Sequence, residues 1–166
     1  MMADALRVVL VDDEDLVRSG LRLLLSNAPD IEVVAEASNG RDAVATVLDA
    51  QPDVVLMDIR MPVMDGIAAV EKILSVHAVP IIMLTAFDTD SFILRALRAG
   101  AAGFLLKSTP PESLMAAVRA AAAGQPLLSP QVVDKLVSMQ GPALDDAHSY
   151  HTRTARNRLG RLSSRE

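Results

Sequence analysis

Val54-Val55-Leu56-Met57, preceded by Pro52 and closed by Asp58, is the stretch from which the fold is read. Four consecutive apolar residues between turn-forming residues match a strand buried on both faces. Four other runs share the pattern: Leu6–Val11, Ile31–Ala35, Ile81–Leu84 and Gly103–Leu106. Pro52 and Pro80 fall just before the third and fourth runs, where they stop the preceding segment without removing a central ladder bond. Amphipathic stretches alternate with these runs. In Leu16–Leu25 the apolar positions Leu16, Val17, Leu21, Leu24 and Leu25 recur at spacings of three and four, which predicts a helix with one buried face. Similar patterns cover Asp42–Leu48, Ile67–Leu74, Phe92–Ala99 and Glu112–Ala123, and Gly100 and Gly124 fit helix C-termini. The alternation predicts an α/β fold, (βα)5, with right-handed crossovers over a parallel sheet.

Composition agrees with this. Hydrophobic residues make up 51% of the 166 residues but aromatics only 2%, so the core must be built from Val, Leu, Ile, Ala and Met. The absence of cysteine excludes disulfides, thiolate metal sites and cysteine nucleophiles, and fits a reducing compartment. No apolar run approaches the roughly 20 residues of a membrane span. Met1-Met2-Ala3-Asp4-Ala5 has no basic segment leading into an apolar one, so no signal peptide is expected, nor any membrane contact. A cytoplasmic protein is expected. Charge is uneven: residues 151–166 carry five Arg and one acid, leaving residues 1–150 at −9 within a total of −5. An acidic body does not attract DNA by general electrostatics, whereas a basic tail can border something that does.

In an open parallel α/β sheet, sites lie beyond the carboxyl ends of the strands, near the switch in strand order. The first run ends in Asp12-Asp13, followed by Glu14 and Asp15; the third ends in Asp58; the fourth ends in Thr85; Lys107 follows the fifth. Each acid alone reads as a turn former or a favourable charge at a helix N-terminus. Together they mean more. Neighbouring strands lie about 5 Å apart, so acids ending adjacent strands share one pocket. Clustered carboxylates repel unless a cation offsets the field. Lys107 supplies one charge, and the oxygen-only donor set suits Mg2+. A cation, an ammonium and a hydroxyl around one carboxylate meet the electrostatic demand of phosphoryl transfer onto Asp58.

Four ordered motifs now stand at successive strand ends. They are Val9-Leu10-Val11-Asp12-Asp13-Glu14, Val55 through Gly66 around Asp58, Leu84-Thr85-Ala86, and Gly103-Phe104-Leu105-Leu106-Lys107. Over residues 6–124 the chain resembles the receiver domain of bacterial two-component response regulators. The resemblance implies a flavodoxin-like doubly wound sheet with strand order 2-1-3-4-5, a topology for which a receiver is a standard example. It implies that Asp58 accepts a phosphoryl group from a sensor histidine kinase. Asp13 would then bind Mg2+ directly, with Asp12 coordinating or orienting through water and the Arg60 backbone carbonyl as a third ligand. Thr85 and Lys107 would hold phosphoryl oxygens, and Phe104 would be the switch aromatic that turns inward as Thr85 moves. Arg60 and Phe87, two residues beyond Asp58 and Thr85, would line the path of the hydrolytic water. Bulky Phe87, with no acid or carboxamide beside it, is expected to slow autodephosphorylation. Many receivers have Pro after the Lys; here it is Ser108, frequent in the NarL/FixJ-type subfamily.

Beyond the receiver-like residues 1–124, residues 125–157 read as a linker. Within it, Ser129 as N-cap and Pro130 at the first helical position open a short helix, near 130–139. Residues 158–166 end in Leu162-Ser163-Ser164-Arg165-Glu166, whose Ser163 and Glu166 form a capping box. This resembles the opening of the LuxR-type helix-turn-helix domain that NarL/FixJ-type regulators carry. The chain is therefore expected to stop short of a DNA-binding domain and to reach DNA only through that missing part, as a phosphorylation-dependent homodimer. Three other classes fit less well. A dehalogenase-like phosphatase needs an acid two residues after its nucleophile, where Arg60 stands. A flavin binder would meet acidic strand ends and no phosphate loop. A pseudo-receiver would not keep Asp13, Asp58, Thr85 and Lys107.

Overall fold

The computed structural model describes residues 4–86, 90–125 and 127. In chain order the elements are β1 (Leu6–Val11), α1 (Asp15–Leu25), β2 (Ile31–Ala37), α2 (Gly40–Ala50), β3 (Val54–Asp58), α3 (Gly66–Leu74), β4 (Ile81–Thr85), α4 (Asp90–Ala99), β5 (Gly103–Leu106) and α5 (Pro111–Ala122). The five strands are all parallel and lie in the order β2-β1-β3-β4-β5. That is the flavodoxin-like α/β fold expected from the sequence. β2 runs two residues past the expected Ala35, because its pairing with β1 shifts register between Val8 and Val9 and then continues to Ala37.

Strand alternation divides the core in two. Val9, Val11, Val55, Met57, Ile81 and Met83 face one side, with Val47 of α2, Val70 and Ile73 of α3 and Ile93 of α4. Val8, Leu10, Val54, Leu56, Ile82 and Leu84 face the other, with Leu25 of α1 and Leu114 and Val118 of α5. Side chains two apart share a face, so a strand covered by helices on both sides must be apolar at every position. This is why β3 and β4 are buried throughout and read as uninterrupted runs. Phe104 is 1% exposed and packs in the first cluster, where ordinary core packing accounts for its position.

One expectation needs correction. Leu16, assigned to the buried face of α1, is 86% exposed, as is much of Leu23 one face-repeat later. α1 carries more apolar positions than its contact with the sheet can cover. Leu25 is buried and Leu21 and Leu24 are partly so, while Leu16 sits in the first turn, beside the acidic loop. Gly100 and Gly124 end helices at φ +111° and +78°, as expected. Asn39 and Asp65 cap α2 and α3, each side chain accepting from the backbone N–H three residues on, at 2.8 Å. The expected helix near 130–139 and the capping box at Ser163–Glu166 lie outside the described residues. No helix among the described residues is long and apolar enough to cross a membrane.

Candidate functional site

Parallel pairing brings the strand ends to one edge. Val11 lies beside Met57, Asp58 beside Leu84, and Thr85 beside Leu106. The residues that follow therefore converge. Asp12 leaves β1 still tied to the sheet, its N–H donating to the Ala37 carbonyl at 3.1 Å. Thr85 is 2% exposed, and its carbonyl accepts from the Lys107 N–H at 2.7 Å, which aims the lysine back across the edge.

The Lys107 ammonium stands 2.7 Å from Asp12 Oδ2, 3.3 Å from Asp58 Oδ2 and 3.6 Å from Glu14 Oε1. Asp58 Oδ1 also accepts from the Ile59 N–H at 2.9 Å. Asp12 and Asp58 are buried, whereas Asp13 is exposed. Burial pushes the Asp58 carboxyl up to about 6; Lys107 pulls it down, and Asp12 pushes it up again. Burial also works against the Lys107 charge, but its bond to Asp12 and the field of Asp58 outweigh that and leave it raised. Carboxylate oxygens of Asp12, Asp13 and Asp58 lie within 4.8 Å of one another, a group that could hold a metal ion. Oxygens on opposite sides of a Mg2+-sized ion are about 4 Å apart, so small side-chain rotations close this set around a hard dication.

The loop from β3 to α3 is pinned at both ends. The Gly66 N–H donates to the Ile59 carbonyl at 2.6 Å, and a Cβ on Gly66 would lie 2.1 Å from the Asp58 carbonyl oxygen. No other residue fits so close to the Asp58 backbone. Between them Val63 has φ +71°, with the Met64 N–H donating to the Pro62 carbonyl at 2.7 Å, a γ-turn geometry rare for a β-branched residue.

Of the residues singled out from sequence, Asp12, Asp13, Asp58 and Lys107 come together, with Thr85 adjacent. Arg60 is exposed in the loop after β3, and its guanidinium stands 5.7 Å from the ring centre of Phe92 on α4. Arg95 lies 5.8 Å from the same ring. Phe87 lies outside the described residues. Sequence reasoning missed Arg18, which bonds the Asp12 carbonyl at 2.6 Å. Its partners are scattered along the chain, so no spacing announces it. Two surface clefts, of about 360 and 250 Å³, lie against α2 and between α3 and α4, and neither is lined by the clustered acids.

Fold and site define a doubly wound α/β module with a lysine-braced acidic centre at its carboxyl edge. Residues 8–119 match the response regulator receiver domain family, and the chain belongs to that family. It is 41% identical over 152 residues to the uncharacterized transcriptional regulatory protein YxjL of Bacillus subtilis, covering 90% of this chain and 69% of that protein. It is 39% identical over 152 residues to the transcriptional regulatory protein LiaR of the same organism, covering 91% and 72%. The crystal structure of a LuxR-family two-component response regulator from Aurantimonas superposes with TM-score 0.76 at 34% identity, covering 82% of this chain and 99% of that one. The chain thus spans about seven tenths of the length of these two regulators. Its relatives are regulators, and receivers of this family work with histidine kinases.

Proposed function

We propose that Asp58 is the phosphoacceptor of a two-component signalling protein that controls transcription from the cytoplasm. The observation that carries the reading is the Lys107 ammonium placed between Asp12 and Asp58 beside the three-acid group. An Asp58 oxygen attacks the phosphorus of a kinase phosphohistidine. The new O–P bond forms as the N–P bond breaks, and the departing imidazole nitrogen keeps the electron pair and takes up a proton. Asp13 and Asp58 with the Arg60 carbonyl would hold Mg2+, and Asp12, with both carboxylate oxygens already engaged, would orient its water. Bound there, Mg2+ supplies positive charge to the acids and to the transferred oxygens. Lys107 neutralises one phosphoryl oxygen, and the Thr85 hydroxyl donates to another. Phe104 and Thr85 form the switch, and Arg60 and Phe87 set access of the hydrolytic water. Phosphorylation then promotes homodimerisation, and DNA is reached through a helix-turn-helix domain of the longer regulator.

Incubation with Mg2+ and acetyl phosphate, read by intact mass, is expected to place one phosphoryl group on the parent chain and none on Asp58→Asn. Sedimentation of the same samples is expected to show association only after phosphorylation. A parent without adduct, or an equal adduct on Asp58→Asn, would sink the assignment.

A further inference from the structure

Asp12 has four polar groups, and the structure engages each of them. Its N–H bonds β2 at Ala37, Oδ1 accepts from the Glu14 N–H at 2.8 Å, and Oδ2 meets Lys107. The fourth, its carbonyl, accepts from Arg18 Nη1 at 2.6 Å. The other arms of that guanidinium are also fixed. Nε donates to Glu36 Oε1 at 2.8 Å, and Nη2 to Asp15 Oδ1 at 2.6 Å. Glu36, on edge strand β2, also accepts from Arg22 through its second oxygen. The Arg18 side chain is only 17% exposed, and that of Glu36 22%. One planar fork thus ties α1, the end of β1 and β2 together.

We propose that Arg18 is a positioning residue for the metal site, fixing the peptide plane between Asp12 and Asp13 and thereby setting the affinity for a divalent cation. The inference rests on the reading that these acids hold Mg2+. The Asp12 carbonyl belongs to the rigid plane that ends at the Asp13 Cα. Holding that oxygen fixes the direction in which the exposed Asp13 leaves the chain. Without the hold, the plane can turn, and Asp13 must be ordered at the moment of metal binding. Outer partners of metal ligands commonly change affinity by about 10–100-fold. Lysine cannot replace this function, because a point charge on a flexible stem cannot donate in three fixed directions.

The test is a MgCl2 titration of the full chain followed by amide chemical shifts. Arg18→Lys keeps the charge and is expected to weaken the Kd about tenfold. Its adduct yield from acetyl phosphate at saturating Mg2+ should stay within about twofold of the parent, as expected for a lost positioning contact. Glu36→Ala, which removes the brace without touching the acids, is expected to weaken the Kd about threefold. Parental affinity in Arg18→Lys overturns the role, since charge alone would then suffice. Should that variant fail to fold by circular dichroism, Glu36→Ala decides, and parental affinity there is the overturning result. A parent that shows no metal-dependent shifts sinks the metal site and this role with it. A parent that binds while its variants bind equally well sinks the role alone.

Discussion

Asp58 ends β3 almost fully buried, with its carboxyl pushed up to about 6 by that burial and by Asp12, against the pull of Lys107. A carboxyl whose folded value exceeds its unfolded one binds more protons in the native state, so stability falls as pH rises between the two values, here from about 4 to 6. Above that window the folded chain bears the full cost of a charged Asp58. Asn at this position keeps an oxygen to accept from the Ile59 N–H and removes the charge. In metal-free buffer at pH 7.5, Asp58→Asn is therefore expected to be more stable than the parent by about 2 kcal/mol, with the gain vanishing near pH 4. Urea unfolding at the two pH values measures this. An Asn variant less stable at pH 7.5, or a gain unchanged at pH 4, would show that the acid is not strained by its surroundings. Asp58 was legible in the sequence because it closes an apolar run. The rise in its proton affinity was not, since it depends first on how deeply the folded chain buries the carboxyl, and then on the distances of Lys107, which opposes it, and Asp12, which adds to it.

Elements place these residues: parallel pairing sets the strand ends side by side, and the β3–α3 loop is held against the end of β3. Gly66 closes it against the Asp58 backbone, and the Met64 carbonyl accepts from the Gly40 N–H at the start of α2, at 2.8 Å. With both ends held, Val63 is left at φ +71° as a residue 67% exposed, so little packing is lost by removing its side chain. A non-Gly residue in such a conformation costs about 1–3 kcal/mol, while glycine adds back a smaller entropic penalty. Val63→Gly is expected to stabilise the domain by about 1 kcal/mol, a rise in melting temperature of roughly 4 °C at about 2.1 cal/mol/K of unfolding entropy per residue. A lower melting temperature would mean that the turn is not strained. β3 and β4 were legible end to end because burial on both faces writes itself as an unbroken apolar run, whereas edge strand β2, with Glu32 and Glu36 among its residues, was legible only as far as Ala35. α1 was legible as a helix but not in its facing: Leu16 fits the three-and-four spacing yet stands, with Leu23 two turns on, on the exposed face. The Arg60–Phe92 contact joins residues 32 apart on different elements, and nothing local signals it.

At the scale of the molecule, charge separates along the chain: residues 1–150 carry −9, and residues 151–166 hold five Arg against one acid. The described receiver is a sheet between two helical layers, and the carboxyl edge of the sheet carries a cluster of acids, which repels polyanions. Any attraction of this chain to DNA must come from the basic tail. Five cations can release at most about five counterions, so the plot of log K against log salt should be no steeper than about −4.5. Binding should also be indifferent to sequence, because phosphate contacts position a protein without reading bases. Titration of a fluorescent duplex at several salt concentrations, with the tail intact and with its five Arg changed to Gln, measures both. The Gln variant is expected to lose binding at all salts. A steeper slope, a preference for one duplex sequence, or binding that survives the Gln changes would place the nucleic-acid contact on the receiver itself and overturn this division of labour.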